Sequence, residues 1–145
     1  VAFVSQARAQ SESVSGKAHV VDGDTIDIGT TRIRLWGIDA PEGKQQCSRE
    51  SKTYDCGNEA SKKLLSLIGS QNVECLKKTQ DRYKRMVAVC RAGGKDIGAE
   101  MVRSGWALAF TRYSSDYVSQ ENEARLNGRG MWAGAFEPPW QVRKR

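Results

Sequence analysis

The sequence predicts a mainly β protein with interposed helices, on three observations. Five short β-prone runs lie between residues 18 and 90, separated by turn-forming residues. Apolar residues at helical spacing follow the third run and again the fifth. No stretch approaches the roughly 20 apolar residues of a membrane span. Five strands and three helices suit a small closed or partly open barrel of OB type, one option among several that the pattern alone allows.

Ala18-His19-Val20-Val21 and Thr25-Ile26-Asp27-Ile28 are the first two runs, with Asp22-Gly23-Asp24 between them as turn material. After a turn at Gly29-Thr30, the segment from Thr31 to Trp36 alternates polar and apolar residues. That alternation sets Arg32 and Arg34 on one face and Ile33 and Leu35 on the other, as a third consecutive antiparallel strand. Residues 43–57 are polar and read as a loop. A helix should start near Asn58, because Ala60, Leu64, Leu67 and Ile68 share a face and Gly69 suits the stop. Val73-Glu74-Cys75-Leu76 and the segment from Met86 to Cys90 are the fourth and fifth runs, flanking a polar stretch from Lys77 to Arg85. A turn at Ala92-Gly93-Gly94 leads to a second helix carrying Ile97, Met101 and Val102 and ending near Gly105. A short apolar segment, Trp106 to Phe110, precedes a third helix from about Asp116 towards Gly130, and the tail beyond reads as extended.

The 145 residues, 39% apolar and 28% charged, fit one soluble domain, with no repeats and no internal linker. Residues 18–132 are the expected domain and 133–145 a tail. Lysine and arginine total 23 against 17 acids, a net charge of +6 that favours polyanionic partners but says nothing of chemistry. Ala7-Arg8-Ala9, behind a short apolar piece, has small residues where a signal peptidase reads. Residues 1–9 are therefore expected to be the remnant of an export signal, the other reading being a tail with a chance A-x-A, and residues 10–17 a loose lead-in. Export would make the protein secreted or periplasmic.

Four cysteines point the same way. Cys47–Cys56 would close a loop and Cys75–Cys90 could cross a strand pair, one of three connectivities. Zinc is the competing idea, but no C-x-x-C occurs and the only histidine, His19, is far from the cysteines in sequence.

Two constellations carry chemistry. Asp24 lies at one strand boundary, and Asp39 and Glu42 follow the arginine-bearing strand. If those strands pair, the acids gather at one end of the sheet and repel unless a cation compensates them. Their ligands are all oxygen, which suits Ca²⁺ or Mg²⁺. The plainer reading is that acids at strand ends form turns. Arg34 and Arg85 can each hold phosphate oxygens with a fixed fork of donors, although Asp81-Arg82-Tyr83-Lys84-Arg85 also reads as a solvated basic turn.

Three segments decide between these readings: Asp22-Gly23-Asp24-Thr25, the stretch Arg34-Leu35-Trp36-Gly37-Ile38-Asp39-Ala40-Pro41-Glu42, and Asp81-Arg82-Tyr83-Lys84-Arg85. In this order the chain resembles the staphylococcal nuclease family from about Ala18 to Trp132. The resemblance implies a five-stranded OB-fold barrel with three helices, and a calcium-dependent nuclease that cuts DNA and RNA at the 5′ P–O bond to leave 3′-phosphate ends. It implies Ca²⁺ held by Asp24, Asp39 and the Ala40 backbone carbonyl, Glu42 beside the attacking water, and Arg34 and Arg85 on the scissile phosphate. Arg82, Tyr83, Lys84 and Tyr113 fall where substrate would lie. A non-catalytic nucleic-acid-binding barrel is the alternative, and a monomer the default state.

The chain departs from the family's pattern in places. Ala40 stands where many relatives have threonine, and Lys84 where a glycine is familiar. Thr111 replaces a tyrosine that would partner Tyr113, a gap that Tyr117 could refill. None of the four tryptophans is assigned to the site.

Overall fold

The computed structural model describes residues 12–144. The expected signal remnant, residues 1–9, lies outside them. Eleven short strands and four α-helices follow in order: β1 (Ser13–Gly16), β2 (Ala18–Asp22), β3 (Thr25–Ile28), β4 (Thr31–Leu35), β5 (Ile38–Asp39), β6 (Cys47–Arg49), β7 (Lys52–Tyr54) and α1 (Cys56–Ile68). Then come β8 (Val73–Gln80), β9 (Met86–Ala92), β10 (Lys95–Asp96), α2 (Ile97–Arg103), β11 (Leu108–Ala109), α3 (Val118–Leu126), a 3-10 turn (Gly130–Ala133) and α4 (Pro139–Val142).

The main sheet runs β1-β8-β9-β4-β3-β2, with β10 also on β9. β2, β3 and β4 form the expected antiparallel meander, and β4 lies parallel to β9. The five predicted strands are thus β2, β3, β4, β8 and β9, a curled sheet with β1 and β2 at its edges, of the OB type. Its inner face holds Ile26, Ile33, Leu35, Val73, Ala88 and Cys90, with Ala60, Leu64 and Ile68 of α1 and Ile97, Met101 and Val102 of α2 closing the core. Helical spacing picks out the helix residues among these, Ala60, Leu64, Ile68, Ile97, Met101 and Val102. Asp96 caps α2 by accepting the Ala99 N–H at 3.1 Å.

The elements differ from expectation where polarity concealed pairing. Residues 13–16 are not a loose lead-in but β1, paired with β8. The polar loop 43–57 contains the hairpin β6–β7. β8 continues to Gln80, well into the polar stretch, because only its paired backbone and one face need the sheet. The tail is not extended throughout: Pro138-Pro139 starts the single helical turn α4.

Both expected disulfides are present. Cys75–Cys90 joins residues directly opposite each other on β8 and β9, and Cys47–Cys56 ties β6 to the start of α1. Such bridges belong to extracellular or periplasmic proteins. Among the described residues no helix is long and apolar enough to cross a membrane.

Candidate functional site

Strand register builds the site. Thr25 faces Arg34 across β3–β4, and Arg34 faces Val87 across β4–β9. Residues two apart on a strand share a face, so Arg85, just ahead of β9, looks to the same side as Arg34. The turn at Gly37, with φ of 75°, sends the chain back through β5, where a backbone N–H of Ala40 reaches Asp24 Oδ2 at 3.0 Å. β11 pairs with β5, and Phe110 N–H donates to Gly37 O at 2.9 Å, which carries the loop of Arg112 and Tyr113 to the same rim.

These elements surround a cleft of about 1220 Å³, lined by Asp22, Asp24, Arg34, Ala40, Glu42, Arg82, Tyr83, Arg85, Phe110, Tyr113, Trp140 and Arg143 among others. That exceeds the roughly 300–1,000 Å³ of small-molecule pockets and offers room for a chain-like ligand.

At its floor Arg34 Nη2 stands 3.2 Å from Asp39 Oδ1 and 3.6 Å from Asp24 Oδ2. Asp24 Oδ1 also accepts from the Thr25 hydroxyl at 2.9 Å. Asp39 is fully buried and holds a second guanidinium: Arg143 Nη2 is 2.6 Å from its Oδ2 and Nη1 3.0 Å from its Oδ1. The same Nη1 lies 2.7 Å from Glu42 Oε1.

Burial opposes the charge on Asp24, but Arg34, Asp22, the Ala40 N–H and the Thr25 hydroxyl outweigh it and hold this carboxyl below its usual range. Asp39 goes the other way: burial and the Asp24 charge exceed the help of Arg143 and Arg34. Asp22, outside the predicted set, is pushed up to about 7 by burial and by Asp24 beside it. Arg34 stays charged beyond the ordinary arginine range because Asp24 and Asp39 overcome the effect of its burial.

The model of the staphylococcal nuclease homologue family matches residues 32–134. This chain belongs to that family. The matched stretch contains Arg34, Asp39, Glu42, Arg85 and Tyr113, whereas Asp24 and Arg143 lie outside it. Over 126 residues the chain is 38% identical to the succinoglycan biosynthesis protein ExoI of Rhizobium meliloti, covering 84% of this chain and 66% of that one. It is 37% identical to an uncharacterized endonuclease of Escherichia coli O157:H7 over 134 residues, 87% of this chain and 82% of the relative. A micrococcal nuclease of Shigella flexneri is 34% identical over 143 residues, 86% of this chain and 77% of the relative. The chain therefore spans about two thirds of the Rhizobium protein's length and most of the other two.

The predicted acids do not surround one point. Among the described residues no three acidic, histidine or cysteine side chains form a metal-holding group. They meet pairwise instead, Asp24 with Asp39 on Arg34 and Asp39 with Glu42 on Arg143. Arg85 lines the cleft but is held by Asp81, whose Oδ2 accepts its Nε–H at 2.7 Å. Arg82 lies over the Tyr83 ring and donates to the Tyr83 hydroxyl at 2.9 Å.

Three further placements differ from expectation. Lys84, at φ 66°, lines a neighbouring groove rather than this cleft, because its left-handed backbone turns the side chain away. Tyr117 does not refill the gap left by Thr111: it is buried, and its hydroxyl donates to Asp96 at 2.7 Å. Two tryptophans do reach the cleft. Trp36 lies under Lys78, and Trp140 stacks on Phe110 with centroids 5.5 Å apart. Sequence reasoning missed Asp22, Lys78, Phe110, Arg112, Trp140 and Arg143 as cleft residues. For Arg143 the only signal was a basic tail, which carries no hint of where it docks.

Proposed function

We propose that this chain is a calcium-dependent nuclease that hydrolyses DNA and RNA at the 5′ P–O bond, leaving 3′-phosphate ends. The single observation that carries this reading is the Arg34 guanidinium shared between Asp24 and Asp39 at the floor of a basic, aromatic-lined cleft. Buried carboxylates beside a phosphate-sized fork of donors suit a reaction that gathers negative charge.

The residues fit a divalent cation. Their donors are all oxygen, and a cationic stand-in, the Arg143 guanidinium, already sits between Asp39 and Glu42. Asp24, Asp39 and the Ala40 carbonyl would hold Ca²⁺, which would supply positive charge opposite the phosphoryl oxygens. Arg34 and Arg85 donate to the non-bridging oxygens of the scissile phosphate. Glu42 accepts a proton from the attacking water as the new P–O bond forms. The P–O5′ bond then breaks with its electron pair on the departing oxygen, which takes up a proton from solvent while the Arg85 guanidinium steadies its charge. Tyr113, well exposed, offers a face on which a base stacks, and Tyr83, its ring under the Arg82 and Arg85 guanidiniums, holds positive charge beside it.

The test is cleavage of single-stranded DNA by the purified protein. Activity should appear with Ca²⁺, stop with chelator, and fall at least about a hundredfold in Glu42→Gln with the fold intact. Equal cleavage in chelator would defeat the metal assignment. One observation favours a second reading: Arg143 already satisfies Asp39 and Glu42, an arrangement that also suits a barrel that binds nucleic acid without cutting it. Retained DNA binding with no cleavage under any divalent cation would establish that alternative.

A further inference from the structure

The segment around α4 is fastened at three points. Gln45 Nε2 donates to Glu137 O at 2.8 Å, the Trp140 ring lies on Phe110 with an interplanar angle of 11°, and Arg143 grips Asp39 and Glu42. Only the third touches residues assigned to chemistry.

Asp39 has a side chain with no exposed surface, and Arg34 is already shared with Asp24. A carboxylate so enclosed needs a second cation, since an unpaired buried charge is far costlier than a paired one. The Arg143 side chain is 37% exposed, so it meets the acids from the solvent side and can withdraw that way. α4 is one turn long and has little helical structure to lose in moving. A divalent cation would offer the same two carboxylates, Asp39 and Glu42, an alternative partner to this guanidinium.

Resting on the functional reading above, we propose that Arg143 is a built-in competitor for the divalent cation. Its guanidinium satisfies Asp39 and Glu42 in the metal-free protein and leaves both when the cation binds. The Trp140–Phe110 stack keeps it close enough to return. Glu42 is then free to take a proton only in the cation-loaded state, so the clasp couples metal binding to the readiness of the base.

Calcium chloride titrated calorimetrically into the full chain tests this directly. Arg143→Ala should bind Ca²⁺ about tenfold or more tightly than the native protein, with Arg143→Lys between them, because lysine cannot span both acids. In the native protein, amide hydrogen exchange at Gln141–Lys144 should quicken when Ca²⁺ is added, a readout that stands even if the alanine variant folds poorly. Equal Ca²⁺ affinity together with unchanged exchange overturns the competitor role and leaves the nuclease reading untouched. Absence of Ca²⁺ binding in native and variant proteins alike overturns the cation site, and the proposal with it.

Discussion

Gly57 lies so close to Glu42 that a Cβ built on it would stand 1.8 Å from the Glu42 carbonyl oxygen. The approach fixes the loop that presents the proposed base. Gly57 N–H donates to Gln45 O at 3.2 Å, and Gln45 Oε1 in turn accepts the Glu42 N–H at 3.1 Å. Since the Cβ would meet a backbone carbonyl, no rotamer change relieves it. Gly57→Ala should lower stability by about 1–3 kcal/mol and shift Glu42, reducing kcat more than KM. A urea titration beside steady-state cleavage of single-stranded DNA checks both. Native stability with native kcat would show that the loop is not held this way.

Asp81 positions the second arginine. Its Oδ1 accepts the N–H groups of Tyr83 and Arg85, each at 2.9 Å, while its Oδ2 takes the Arg85 side chain. Burial works against its charge, but those bonds and the Arg85 charge prevail and keep its carboxyl below the ordinary value of 3.8. The unfolded chain therefore binds this proton more readily than the folded one. Stability from Asp81 is complete above that ordinary value and is lost as pH falls through the lower, folded one. Asp81→Asn should flatten this part of the acid unfolding curve and cost about 1 kcal/mol at neutral pH. It should also reduce kcat, because Arg85 loses the carboxylate that aims it. Acid melts followed by circular dichroism, with kinetics at pH 7, read the two effects separately.

The two disulfides should separate in the same manner. Cys75–Cys90 pins β8 to β9 within the main core, whereas Cys47–Cys56 belongs to the smaller cluster with Leu108 and Met131. Each closes a short loop, so replacing either pair by alanine should cost about 2–4 kcal/mol. Only Cys47→Ala with Cys56→Ala should also depress cleavage, because Cys56 adjoins Gly57 at the Glu42 loop. Thermal melts and activity of the two double variants decide it. Equal loss of activity at matched stability would contradict the distinction.

Periodicity made the core legible, since Leu64, Ile68, Met101 and Val102 repeat at helical spacing and Ile33 and Leu35 alternate along a strand. The acids and arginines at the strand ends were legible as well, because Asp24 sits at the β2–β3 turn, Arg34 near the end of β4 and Asp39 in the short strand just after it. β1 and the β6–β7 hairpin were not, for their pairing rests on backbone hydrogen bonds that polar side chains do not announce. The docking of Arg143 on Asp39, across 104 residues of sequence, is a tertiary contact that no local pattern encodes. The same holds for Trp140 on Phe110.

Tyr113 and Tyr117 lie four residues apart in the sequence and do opposite work. Tyr113 is 64% exposed, edge-on to Phe110 at the cleft, while Tyr117 is 4% exposed and donates to Asp96. Tyr113→Ala should raise KM for single-stranded DNA about tenfold, the loss of one stacked base, and leave the melting temperature unchanged. Tyr117→Phe should leave KM alone and cost about 1–2 kcal/mol, since Asp96 loses a buried donor. Its alkaline behaviour should change too. Burial, then the bond to Asp96 and its charge, raise the Tyr117 hydroxyl above the ordinary value of 10.0. The unfolded chain releases that proton first, so native stability declines as pH rises beyond this value, and the phenylalanine variant should lack that decline. If Tyr117→Phe raised KM while melting normally, Tyr117 would belong to the substrate site and not to the core.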